Sequence, residues 1–213
     1  MAQYTFSLPL PPLFSEDNFL VSSCNREAWQ WIHSWPNWSA LILYGPAGCG
    51  KSHLGNIWGE RAKAQRISLP PGGEVRGSWL IEDIERITDE RALLHFFNSV
   101  KENGGSLLLT SACTANQLPF TLPDLTSRLM ALPSAHIDQP GDDVLGATLR
   151  KQFTDRQMKV DDEVIAYMVP RVERSFAAAK GLVEQLDSLA LAEHRNITIP
   201  LVKRILENSP TET

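Results

Sequence analysis

Apolar positions along this chain fall into two kinds of spacing. Over residues 40–44, 67–69, 78–84, 106–111 and 135–138 they stand in short runs bounded by Gly and Pro and separated by helix-sized segments. Such runs predict strands of a parallel sheet buried on both faces. After Pro140 the spacing becomes helical, over 142 to about 157, 161 to about 171, 175 to 194 and 200 to 208. Asp161 is a good N-cap and Pro200 suits a first helical turn, which marks two of those starts. One more helix is predicted from 25 to about 34, closed around Pro36 by Trp29, Trp31, Trp35 and Trp38, whose rings are expected to lie on the sheet rather than stack on bases. The pattern predicts an α/β domain over 20–140, a small helical lid over 141–208, an extended arm over 1–19, where Pro9, Pro11 and Pro12 crowd together, and a frayed tail over 209–213.

Composition narrows the function. A chain of 213 residues buries a real core without staples. Its formal charge of -5 removes the broad basic field that non-specific DNA binding needs, so direct sequence-specific DNA binding is not expected. Cys24, Cys49 and Cys113 are odd in number and show no paired spacing, which argues for a reducing cytosol without disulfide or zinc. No signal-type N-terminus and no membrane-length apolar stretch is present, so a cytoplasmic protein without a membrane partner is expected. His33, His53, His95, His136 and His194 are scattered without ligand spacing, and no metal is assigned to them.

The chemistry sits in Gly45-Pro46-Ala47-Gly48-Cys49-Gly50-Lys51-Ser52, which fits the phosphate-loop pattern without mismatch and follows the apolar run Leu41-Ile42-Leu43-Tyr44. The glycines let successive backbone N–H groups face phosphate oxygens, and the helix that follows adds its positive end. Lys51 is expected to reach the β and γ phosphates and Ser52 to offer its hydroxyl to Mg²⁺, with Cys49 contributing only backbone. A second strand, Trp79-Leu80-Ile81-Glu82-Asp83-Ile84, ends in two acids where open α/β sheets keep ligands. By position, Glu82 faces the metal's water shell and Asp83 the attacking water.

Together with these motifs, Leu13-Phe14-Ser15-Glu16-Asp17-Asn18-Phe19-Leu20-Val21 and Asn25 resemble the AAA+ module of the DnaA family of bacterial replication initiators. Leu107-Leu108-Leu109-Thr110-Ser111 resembles that family's sensor 1 strand, and Leu122-Pro123-Asp124-Leu125-Thr126-Ser127-Arg128-Leu129 its arginine-finger segment. The resemblance runs from about residue 13 to 207. It implies an AAA+ P-loop fold with a parallel sheet and helical lid, binding ADP or ATP with Mg²⁺. Leu20 and Val21 would lie on the adenine side, and His53 and Arg174 would join the nucleotide-binding set. The initiators carry a further helix-turn-helix domain for which this chain leaves no room, so the resemblance narrows to the Hda branch, DnaA homologues that inactivate the initiator. Thr198-Ile199-Pro200-Leu201-Val202-Lys203-Arg204-Ile205-Leu206 is similar to the Hda ending. Thr5-Phe6-Ser7-Leu8-Pro9-Leu10 is similar to that branch's motif for docking on the DNA polymerase sliding clamp. Phe6, Leu8 and Leu10 would enter an apolar groove at low ordering cost. Thr5 stands where Gln is usual, so either docking is weakened or Gln3 serves in another register.

Two departures concern hydrolysis. Ala112 and Ala177 occupy positions where the family has the sensor 1 Asp and the sensor 2 Arg; Arg174 or Arg171 are the candidates to compensate. Weak or absent turnover in the chain's own site is therefore expected, with ADP binding retained. Arg128 would act in trans on ATP held by DnaA, a contribution of about 10³ to 10⁵ in rate, with the clamp tether raising local concentration. Its local alternative is a surface pair with Asp124. Self-association is left open. The rival functions are a free-standing or DNA-remodelling ATPase or loader and, less well supported, a small nucleoside kinase. Such kinases usually begin with the loop, and this lid lacks a dense arginine set.

Overall fold

The computed structural model describes residues 16–73, 75–193 and 195–208. The docking residues Phe6, Leu8 and Leu10, the Thr5 and Gln3 alternatives, His194 and the 209–213 tail lie outside the described residues.

Five strands, β1 (Ala40–Tyr44), β2 (Gln65–Ile67), β3 (Ser78–Ile81), β4 (Ser106–Ser111) and β5 (Ser134–His136), form one sheet in the order β2-β3-β4-β1-β5. Every pairing is parallel, with Leu41 opposite Leu108 in the centre and Trp79 opposite Leu107 beside it. Side chains alternate across a strand, so apolar residues in sequence feed two cores. Ala40, Ile42, Trp79, Ile81, Leu107 and Leu109 point to one face, against α3 (Glu90–Glu102) and α4 (Pro123–Met130). Leu41, Leu43, Leu80, Leu108 and Ala135 point to the other, against α1 (Arg26–His33) and α2 (Lys51–Ala62). There the buried Trp58 stacks on Trp38 at 5.6 Å and meets Trp35 edge-on at 6.4 Å. These rings serve as packing.

The remaining helices, α5 (Asp142–Asp155), α6 (Asp162–Met168), α7 (Phe176–Glu193) and α8 (Ile199–Asn208), close on a third core. Leu145, Leu149, Phe153, Val183 and Leu186 are at its centre. Truncating any of these to Ala removes about 2–5 kcal/mol of packing.

Several ends differ from the sequence expectation. Strand β2 covers Gln65–Ile67 instead of 67–69, because Pro70 and Pro71 follow at once and leave Leu69 exposed. β3 stops at Ile81, not at 84: Asp83 takes a left-handed conformation (φ 51°), its N–H donates to Thr110 Oγ1 at 3.1 Å, and a 3₁₀ turn Ile84–Arg86 follows. β5 ends at His136, although the Ile137 N–H still donates to the Tyr44 carbonyl at 2.9 Å. The helix expected over 161–171 divides into α6 and a 3₁₀ turn Val169–Arg171 at Pro170, which has no N–H to continue the ladder.

Candidate nucleotide-binding site

The phosphate loop leaves β1 and enters α2. The Gly45 N–H donates to the Ser111 carbonyl at 3.2 Å, tying the loop to β4. Two of its glycines are demanded by geometry. A β-carbon on Gly45 (φ 156°) would stand 2.1 Å from the Ile137 carbonyl oxygen, and one on Gly48 (φ 70°) 2.7 Å from Ser175 Cβ. Lys51, the first residue of α2, is buried, and its Nζ donates to the carbonyls of Gly45 at 2.6 Å and Pro46 at 2.9 Å. A buried ammonium is thus satisfied by the loop it would share with phosphate. Ser52 beside it is exposed. Burial pushes the Cys49 thiol up, more than the adjacent Lys51 charge lowers it, so the sulfur is a protonated packing group and not a nucleophile.

On one side of the loop lies the 19–25 segment. Asn25 is buried and uses both ends of its amide: Oδ1 accepts from the Ser22 N–H at 2.8 Å and Nδ2 donates to the Leu20 carbonyl at 2.9 Å. Leu20 and Val21 are thereby held between Phe19 and the start of α1. Phe19 stacks on Trp29 at 5.2 Å, meets His53 edge-on at 5.1 Å, and lies against Gly50. Phe19 thus brings the 19–25 segment to His53 and the loop, with Asn25 fixing the backbone of Leu20 and Ser22 behind it. Asn25→Ala would leave a carbonyl and an N–H unpaired, a cost of about 1–3 kcal/mol. It is expected to weaken ADP binding about tenfold, or ~1.4 kcal/mol, as read by titration calorimetry.

On the other side, across β4, stand the acids. Glu82 places one carboxylate oxygen 3.4 Å from Arg66, and its Oε1 is buried without a hydrogen-bond partner among the described residues. Asp83 lies 3.7 Å from Arg86. Among the described residues no three His, Cys, Asp or Glu side chains converge to grip a metal directly. A hydroxyl at Ser52 and an unpaired hard oxygen at Glu82 fit Mg²⁺ held mainly by water and phosphate. Sequence reasoning missed Glu85: its Oε1 accepts the Ala112 N–H at 3.0 Å, and its Oε2 is buried without a partner among the described residues. A carboxylate from the 3₁₀ turn thus reaches the position where the family resemblance expects an Asp. The only signal was a third acid, three residues after Glu82.

The lid closes the site at the loop apex. The Phe176 N–H donates to the Gly48 carbonyl at 2.9 Å, and buried Ser175 accepts the Ala178 N–H at 3.0 Å, capping the start of α7. Ala177 Cβ lies 3.3 Å from the β-carbon position of Gly48, so a methyl group meets the loop where the family resemblance expects an arginine. The two candidate replacements have local partners. Arg174 pairs with Asp142 at 2.9 Å, while Arg171 donates to the Tyr167 carbonyl at 2.9 Å and lies over that ring at 3.9 Å.

Arg128 belongs to a different surface. Leu125 and Leu129 bury one side of α4, and Arg128 stands in its last turn, half-buried. No ion pair between Arg128 and Asp124 is formed among the described residues, so the local pairing alternative is not what holds this side chain.

The comparisons with known proteins agree with this geometry. Residues 142–206 match the family model described as Hda, lid domain. The chain is 24% identical over 241 aligned positions to the chromosomal replication initiator protein DnaA of Francisella tularensis subsp. novicida, covering 97% of this chain and 49% of that one. It thus spans about half the length of the curated initiators it matches. An uncharacterized protein of Haemophilus influenzae is 32% identical over 186 residues, covering 78% of this chain and 80% of that one. Domain III of Thermotoga maritima DnaA superposes with a TM-score of 0.78 at 17% identity, over 94% of this chain and 98% of that one. With the loop, the five-stranded parallel order and the lid all in place, the chain belongs to the Hda- and DnaA-related AAA+ proteins.

Proposed function

We propose that this chain is an ADP-binding AAA+ regulator of replication initiation that stimulates hydrolysis of ATP held by a DnaA initiator, supplying Arg128 to the partner's site. Residues 45–52, with Leu20, Val21 and His53, hold the nucleotide, and Ser52, Glu82 and Asp83 hold Mg²⁺ through water. The observation that carries the reading is a contrast. The chain's own loop meets Ala177 and is tied at Gly45 to Ser111, the residue before Ala112, while Arg128 stands half-buried in the last turn of α4 without an ion pair to Asp124. A site poor in cations retains diphosphate and turns over slowly, whereas an arginine brought to a neighbour's site neutralises charge on its transferring phosphoryl. Phe6, Leu8 and Leu10 would tether the chain to a DNA-loaded sliding clamp, raising its concentration beside the initiator. No described helix is long and apolar enough to cross a membrane, in keeping with a role in the cytoplasm.

The test is hydrolysis of ATP pre-bound to DnaA, measured with and without this chain, ADP, Mg²⁺ and clamp-loaded DNA. Acceleration that requires both chain and clamp is the expected result; an unchanged rate overturns the reading. A second reading, a free-standing or DNA-remodelling ATPase, is favoured by the acids the site keeps, Glu82, Asp83 and Glu85. It predicts multiple turnovers by the chain alone.

A further inference from the structure

We infer that Glu90 is the residue that positions Arg128, an inference that rests on the trans role proposed above. Glu90 is the first residue of α3, whose start is fixed by the Asp89 carboxylate accepting the Ala92 N–H at 2.9 Å. From there the Glu90 carboxylate reaches across to the residues that lead into α4. Oε1 accepts from the Thr121 N–H and from Thr121 Oγ1, both at 3.0 Å; Oε2 accepts from the Thr121 N–H at 2.9 Å and the Leu122 N–H at 2.6 Å. These hydrogen bonds, the backbone ones first, hold its carboxyl below the usual range. The group is therefore charged at neutral pH, beside a helix N-terminus that favours negative charge.

α4 depends on this contact because it has little else to set its entry. Its N-cap, Leu122, has no side-chain acceptor, and Pro123 at the first position has no N–H. The helix is eight residues long and is seated by Leu125 and Leu129. Leu residues resist lifting off the sheet, but apolar contact is non-directional and does not fix rotation or slide. A carboxylate holding two consecutive backbone N–H groups does. Arg128 lies six residues beyond Leu122, roughly 9 Å along the axis, so a small change at the entry is carried to the guanidinium.

The test uses full-length chain with ATP-loaded DnaA and clamp-loaded DNA, comparing wild type, Glu90→Ala, Arg128→Ala and the double variant. Glu90→Ala is expected to lower the stimulated rate about 10- to 100-fold. ADP affinity should be retained, and the double variant should match Arg128→Ala alone. A full rate in Glu90→Ala, or a loss that adds to that of Arg128→Ala, overturns the inference. An independent readout is amide hydrogen exchange. Glu90→Ala should speed exchange over 119–130 and leave the 40–62 segment unchanged, and unaltered exchange at Thr121 and Leu122 also overturns it. If Arg128→Ala keeps the full rate, the trans function has failed, while the exchange data still decide whether Glu90 holds α4.

Discussion

Arg128→Ala is expected to return hydrolysis of initiator-bound ATP to the rate measured without this chain, a loss of about 10³- to 10⁵-fold in stimulated turnover. The size follows from what an arginine does at a transferring phosphoryl group: it places a delocalised charge and several donors where negative charge develops, in a site that water has left. Arg128→Lys should recover little, because a point charge on a flexible stem lacks the planar fork. The fold should tolerate the change. Arg128 is half-buried in the last turn of α4, flanking the buried Leu125 and Leu129 without being one of them, so its truncation should cost far less than loss of either leucine. ADP binding by the variant should equal that of wild type, since the loop is built from β1, α2 and the start of α7. Single-turnover hydrolysis of labelled ATP on the initiator, paired with ADP titration of the variant, checks both halves. An alanine variant that stimulates fully would move the finger elsewhere.

Gly45→Ala acts at the chain's own site and by sterics. The added methyl would meet the Ile137 carbonyl oxygen at 2.1 Å. Neither partner can retreat: the Ile137 N–H is bonded to the Tyr44 carbonyl at 2.9 Å, and the Gly45 N–H to the Ser111 carbonyl at 3.2 Å. The clash and the unfavourable backbone together cost on the order of 3 kcal/mol. In a protein of this size that corresponds to about 10 °C in Tm. Relief by peptide rotation would swing the Gly45 carbonyl off Lys51 and misdirect the loop's N–H groups, so ADP binding should be lost as well. Gly59→Ala is the control: it lies in α2, the helix the loop enters, with open space at its β-carbon position, and both stability and ADP affinity should be kept. A Gly45→Ala protein that melts and binds as wild type would show that the loop has slack the geometry denies it.

What could be read from sequence was what is local in sequence. The loop is one unbroken stretch of eight residues, so its chemistry was legible before any coordinates, as were β1 and β4, whose apolar runs end at Gly45 and are preceded by Gly104 and Gly105. β3 was overextended because Ile84 follows Glu82 and Asp83 as if the apolar run resumed, and nothing in composition announces that Asp83 turns left-handed. β2 was misplaced because Gln65 and Arg66 are polar and exposed on an edge strand. The contacts that finish the site join residues far apart: Glu85 to Ala112, Glu90 to Thr121, and Phe176 to Gly48. Each involves a backbone group as one partner, which carries no mark in the amino-acid sequence. Arg174 shows the converse. Its place one turn before Ala177 made it a candidate for the nucleotide, and its pairing with Asp142 at the start of α5 was not legible in the sequence.

The approach of Gly48 to the lid, with Phe176 bonded to its carbonyl and Ser175 in the space a β-carbon would need, has a consequence for grafting. A lid taken from a relative would have to bring a residue no bulkier than serine at that point, or the two halves would not shut. Loop and lid are in this sense one mould cast in two pieces, and neither can be reshaped at Gly48 or Ser175 without recutting the other.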